Sequence, residues 1–159
     1  KMDIIDIKLL KLLQKNAELT IQELSKEVNL STTPCWKRIN QLKNNGYINK
    51  TVSLVDRKRV GANVTAMVSV KVNNHNQERI SIFSETILGI PEVIECYRMS
   101  GETDYLLKVV VSDIESYDTF YKNLIEKVQF LKVTSNFAIE EIKSTTEIPL
   151  TKLEQQAKK

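Results

Sequence analysis

The spacing of apolar residues changes near residue 61, and that change decides what this chain can fold into. Before it, apolar residues recur every three or four positions, as in helices that bury one stripe. After it, runs of strict alternation set in, as in strands that bury one face. A chain of 159 residues that keeps the two patterns in separate segments is expected to form two small domains. The run Asp56-Arg57-Lys58-Arg59-Val60-Gly61 marks the expected boundary: residues 1–61 form one domain, 62–150 a second, and 151–159 a polar tail.

In the first segment Ile5, Leu9, Leu12 and Leu13 share one helical face behind Asp3, a good N-cap. Thr20-Ile21-Gln22-Glu23 has the form of a capping box, and it opens a second helix with Ile21, Leu24 and Val28 inward. After a turn at about Asn29–Leu30, Ser31 is expected to cap a third helix, with Pro34 tolerated in its first turn. Cys35, Ile39 and Leu42 form the inner stripe of that helix, and Gly46 supplies its left-handed stop. Tyr47–Lys50 and Thr51–Val55 suggest a short two-stranded ribbon.

Beyond the boundary, residues 64–72 read as a strand with Ala66, Val68, Val70 and Val72 on one face. A helix follows with Ile80, Phe83, Ile87 and Leu88 inward, ended by Gly89 and Pro91. Val93–Met99 and Tyr105–Val111 are two more strands around the Ser100–Asp104 turn. A second helix carries Ile114, Tyr117, Tyr121, Leu124 and Val128, and Val133–Lys143 closes as a strand. The order β-α-β-β-α-β is the ferredoxin-like pattern. The whole chain is therefore expected to be α+β, with residues 144–148 a candidate edge strand limited by Pro149.

Charge divides along the same line. Residues 1–61 carry 12 Lys/Arg against 6 Asp/Glu, and residues 62–159 carry 11 against 14. A basic third attached to a mildly acidic remainder suits a module that meets a polyanion and another with a different task. Several chemistries lack their residues. Two cysteines and one histidine make no disulfide framework and no four-ligand zinc site, so no metal and no cofactor are expected. His75 lies in a polar connection, Cys35 and Cys96 are expected to be buried, and Glu140 and Glu141, adjacent on a strand, point to opposite faces. Neither a secretory signal nor a membrane span is expected, and the reading is a cytoplasmic protein that is not an enzyme.

Three short helices with a tight turn before the last describe a helix-turn-helix, whose second helix enters the major groove. On Ser31–Asn45 the face opposite the inner stripe offers Thr33, Lys37 and Gln41, with Ser31 and Thr32 at its N-terminal edge. Hydroxyls suit phosphates or several bases, and an amide can pair bidentately with adenine. Lys37, Arg38, Lys43 and Lys50 are candidates to neutralise phosphates, and Arg57, Lys58 and Arg59 to flank the duplex. Trp36 is expected to pack at the helix–ribbon junction, the alternative being intercalation between bases.

The run Leu30-Ser31-Thr32-Thr33-Pro34-Cys35-Trp36-Lys37-Arg38-Ile39, with Leu42, Gly46-Tyr47-Ile48 and Val55-Asp56, resembles the recognition helix and wing of the Lrp/AsnC transcription regulators. Ser100-Gly101-Glu102-Thr103-Asp104-Tyr105-Leu106-Leu107 is similar to the Gly-x-x-Asp-Tyr turn of that family's effector domain, and Phe137–Lys143 to its last strand. The likeness covers residues 3 to about 150 and looks closest to the leucine-responsive, proteobacterial-type branch. It implies a winged helix-turn-helix joined to a βαββαβ effector domain, double-stranded DNA as partner, and homodimers that assemble into tetramers or octamers.

The same resemblance implies a small amino-acid effector bound at contacts between effector domains. Gly101 can bring backbone N–H groups close to a ligand carboxylate, and Asp104 can pair with an α-ammonium. Ser100, Thr103, Phe137, Ala138, Ile139 and Ile114 are the other candidates for that pocket. The alternative for the turn is a tight hairpin whose Asp serves the backbone. For the whole chain the alternatives are an architectural DNA binder without a ligand and a small-molecule-binding ferredoxin-like module.

Overall fold

Asp3 starts the first helix, α1 (Ile4–Lys15), by accepting from the amides of Ile5 and Asp6, while the Asp6 carboxylate accepts from the Asp3 amide, each at 3.0 Å. This reciprocal box satisfies donors that the first turn leaves free. Thr20 and Glu23 do the same for α2 (Ile21–Glu27). Asn29 then turns the chain with a left-handed φ of 54°, and α3 (Thr32–Asn44) follows. Ser31 holds the N-cap position of α3 but makes no side-chain capping bond. The end of α3 is a Schellman motif: Gly46, at φ 76°, donates to the Lys43 carbonyl at 3.0 Å, and Tyr47 donates to that of Leu42 at 2.9 Å.

The computed structural model describes residues 2–73 and 77–158, so His75 lies outside the described residues. The chain forms two units, Leu54–Ile142 and a unit that joins Lys1–Ser53 to Lys143–Lys159. In the second of these Leu9, Leu10, Leu24, Val28, Cys35, Ile39 and Leu42 make the core. The expected ribbon over Tyr47–Val55 is not there: the segment is bends and extended chain without ladder partners.

The tail also departs from expectation. Residues 144–148 form no strand, and Thr151–Ala157 is a helix, α6. Gln14 of α1 holds the incoming chain from both sides, donating to the Ile148 carbonyl and accepting from its amide at 2.9 Å each, while Thr146 donates to the Gln14 carbonyl at 3.1 Å. Leu150 packs against the helical core, and Lys11 pairs with Glu154. A polar sequence hid this because its anchors are the Ile148 backbone, the Thr146 hydroxyl, the Glu154 carboxylate and one leucine, not an apolar stripe.

The unit Leu54–Ile142 is a four-stranded antiparallel sheet in the order β2-β3-β1-β4, with β1 Val64–Lys71, β2 Val93–Arg98, β3 Tyr105–Val111 and β4 Lys132–Phe137. Helices α4 (Gln77–Leu88) and α5 (Ile114–Lys127) supply Phe83, Ile87, Tyr117, Phe120 and Leu124 to the same core as the sheet. Strand β4 ends six residues before the expected Lys143. Leu88 is 86% exposed rather than inward, and Ile114 is exposed too. Cys96 is exposed on the edge strand β2, whereas Cys35 is buried as expected. Among the described residues no helix is long and apolar enough to cross a membrane.

This packing and capping have measurable consequences. Leu124, 0% exposed, should cost about 2–5 kcal/mol when changed to Ala, and Leu88→Ala should cost about 0.5 kcal/mol or less; urea unfolding compares the two. Burial alone would raise the Asp3 pKa, but the Asp6 and Ile5 amides and Arg38 outweigh it and hold the carboxyl below its ordinary 3.8. The charge of Asp3 therefore stabilises the fold fully above pH 3.8, and that contribution is lost as pH falls through the lowered value. Asp3→Asn keeps a capping side chain, so it should be less stable than the parent by about 1 kcal/mol or less at neutral pH, with the two converging in acid.

Candidate nucleic-acid interface and effector site

On α3 the buried stripe of Cys35, Ile39 and Leu42 fixes which side chains face outward. Ser31, Thr32, Thr33, Lys37 and Gln41 are exposed, so the hydroxyls, one cation and one amide lie along the helix surface. No acidic residue occurs on α3, so nothing on this helix repels a phosphate. Lys50 is exposed beyond the helix.

Arg38 does not join them. Its guanidinium turns towards α1 and donates to Asp3 at 2.7 Å and Asp6 at 2.8 Å. The Asp6 and Asp3 carboxylates raise its pKa against the opposing effect of burial. Arg38 thus ties α3 to the capping box of α1, and its charge is already balanced. One residue along the helix separates it from Lys37, and a rotation of about 100° puts the two cations to different uses. Arg57 is likewise engaged, donating to Thr65 at 2.6 Å and Glu141 at 2.5 Å inside the sheet unit. Lys58 and Arg59 remain exposed. Trp36 packs at no ribbon junction: it is 58% exposed.

The sheet unit distributes its candidates to two ends. Ser100, Gly101, Thr103 and Asp104 make the β2–β3 turn, where Gly101 has φ 94° and open space on the side where a Cβ would stand. Asp104 works for the backbone: its carboxylate accepts from the Val72 amide at 2.8 Å, and its own amide donates to the Val70 carbonyl at 2.9 Å. Ile114, Phe137, Ala138 and Ile139 lie at the opposite end. Phe137 stands beside Ala66 in the register, Tyr105 beside Val70, and four residues of β1 between them span about 13 Å. The Phe137 ring packs edge-on against Tyr117 at 4.9 Å, and the Ala138 amide donates to the Thr65 carbonyl at 2.9 Å. Ile139 is fully exposed. The eight candidate residues therefore do not line one pocket within a chain.

A cleft of about 130 Å³ does open next to the turn, lined by Val72, Ile80, Phe83, Tyr105 and Val128 with the cations Arg79 and Lys127. None of the eight candidates lines it. Desolvation, complete around Cys35 and only partial around the exposed Cys96, pushes both thiol pKa values up, which disfavours the reactive thiolate. Among the described residues no three His, Cys, Asp or Glu side chains gather as a metal would require.

Two family models match separate segments of the chain. Residues 2–49 match the winged helix-turn-helix DNA-binding domain, and residues 65–148 the Lrp/AsnC ligand-binding domain. The chain is 45% identical over 150 residues to the DNA-binding transcriptional activator DecR of Escherichia coli, covering 94% of this chain and 99% of that one. It superimposes with a TM-score of 0.93 on an AsnC-family transcriptional regulator from Agrobacterium tumefaciens, at 47% identity over 96% of this chain and 99% of that one. A transcriptional regulator from Neisseria meningitidis in complex with L-methionine gives 0.92 at 33% identity, with the same coverage. The chain belongs to the Lrp/AsnC family of DNA-binding transcription regulators.

Proposed function

We propose that this regulator reads double-stranded DNA with α3 and adjusts its binding to a small amino acid held between effector domains of different copies. The observation that carries the DNA reading is the acid-free outer surface of α3. Thr32 and Thr33 stand at the end of the helix that enters a major groove first, with Ser31 just before it. Lys37 and Lys50 serve phosphates, and Gln41 suits an adenine edge. Arg38, committed to Asp3 and Asp6, orients the helix instead of touching phosphate.

The amino-acid reading rests on the split of the candidates and on the relative that holds L-methionine. Groups at opposite ends of one sheet meet in a single pocket only when another copy brings its Phe137 end to this turn. Gly101 then offers backbone donors to a ligand carboxylate, with Ser100 and Thr103 beside it, and Asp104 offers its carboxylate to an ammonium. Ile114, Phe137, Ala138 and Ile139 of the other copy form the apolar wall. Association is also what the sheet requires. Its face away from α4 and α5 presents Tyr97, Leu106 and Val110 with the Glu95–Lys108 pair, whose atoms are 3.5 Å apart, and a two-fold partner covers such a face symmetrically. Dimers joined in this way build tetramers or octamers, working in the cytoplasm, where chromosomal DNA is accessible.

The effector then acts by preferring one arrangement of dimers, which changes the spacing of the α3 helices along DNA. Two outcomes are expected. Lys37→Ala should weaken binding to all duplexes alike and reduce the slope of log K against log salt by about 0.9 for each α3 in contact with the duplex; an unchanged slope in anisotropy titrations would misplace the phosphate contact. Asp104→Ala should abolish the heat of amino-acid binding in calorimetry, measured with a mixture of the standard amino acids, while duplex affinity stays the same. If no amino acid alters either oligomer mass or duplex affinity, the chain is an architectural binder.

A further inference from the structure

We propose that Trp36 is a base-reading residue that packs its indole against thymine methyl groups in the major groove; this rests on α3 being the DNA-reading helix and adds a sequence preference to it. Trp36 is the single tryptophan of the chain, and 58% of its surface is exposed on the second turn of α3. Thr32, Thr33, Trp36, Lys37, Asn40 and Gln41 fall within one half-turn arc of the helix, away from Cys35, Ile39 and Leu42. Trp36 stands towards the edge of that arc nearer Ile39, between Thr32 one turn before and Asn40 one turn after.

A large apolar ring held in water on a helix surface is informative where an exposed leucine is not. Its neighbours identify the occupant. Lys37 adjoins it in sequence, Lys43 lies two turns on along the same row, and no acidic residue interrupts α3. This surface complements a polyanion and not an ordinary protein face. Of the groups that line a major groove, the thymine C5-methyl is the apolar one. A side chain in the first two turns of a helix lying in that groove stands over base edges, whereas the wedges that unstack base steps act from the minor groove. The indole face covers the methyl, and its N–H remains available to a base acceptor.

The test uses the full-length protein and a duplex that it selects from a randomised pool. Because there is one tryptophan, its emission reports this residue alone. Emission should shift to the blue or be quenched when the selected duplex is added. Replacing thymines one at a time by deoxyuridine removes only the methyl, and at one or two positions this should weaken binding about fourfold each. Trp36→Ala should lose about tenfold in affinity for the selected duplex, lose the thymine-to-deoxyuridine discrimination, and keep its affinity for unselected duplex. Trp36→Phe should retain part of the discrimination. Unaltered emission on the bound duplex, or a Trp36→Ala chain that still distinguishes thymine from deoxyuridine, overturns the inference while leaving the regulator reading in place. A chain that binds no duplex at low salt overturns both.

Discussion

The sheet unit depends on one alternation, carried by β1 and β3. Ala66, Val68 and Val70 lie beside Val109, Leu107 and Tyr105 in register, and all six are buried on one face. This face fixes where α4 and α5 must lie, because Phe83, Ile87, Phe120 and Leu124 have nowhere else to escape water. Since side chains alternate, the same pairing fixes the other face as well. Met67, Leu106 and Val110 are only partly covered there, and the burial that stabilises one side leaves the second side calling for a partner.

The helical unit solves a smaller problem with polar groups. Its helices are short, α2 having 7 residues, and helices of this length are marginal alone. Capping boxes at Asp3 and Thr20, the Schellman turn at Gly46 and the Arg38 bridge to the α1 cap compensate at the helix ends, while Cys35, Leu9 and Leu24 close the centre. The tail adds Leu150 and the Gln14 clasp on α1. The DNA-reading unit is thus built from both ends of the chain, and a truncation designed from the sequence boundary near residue 150 would remove part of it.

The periodic parts of this fold were legible in the sequence, and the parts held by single contacts were not. The stripe Cys35, Ile39 and Leu42, the strand Tyr105–Val111 and the stop at Gly46 each follow from spacing or from a residue with one conformational use. The Tyr47–Val55 ribbon failed because alternation alone does not make a strand: ladder partners are needed, and none is present among the described residues. Leu88 illustrates the limit at a helix end, where the apolar stripe has already turned past the core. Cys96 points to the buried side of β2, but β2 is the edge strand, and direction without cover is not burial.

The candidate site could be named from the sequence as residue types and not as geometry. Lys37 and Arg38 look equivalent in sequence, yet Asp3 and Asp6, more than thirty positions earlier, claim the second and leave the first. Only a long-range ion pair makes that distinction, and no local pattern encodes it. The effector candidates pose the converse problem. The Gly101–Asp104 turn and the Phe137–Ile139 segment are each recognisable, but a sequence does not say whether two segments meet within one chain or across two. Register answers the first half: β1 holds them apart. In the proposed reading a ligand that needs both ends is bound by an assembly, so that occupancy of the site and arrangement of the copies are one equilibrium, the linkage an effector-controlled DNA reader requires.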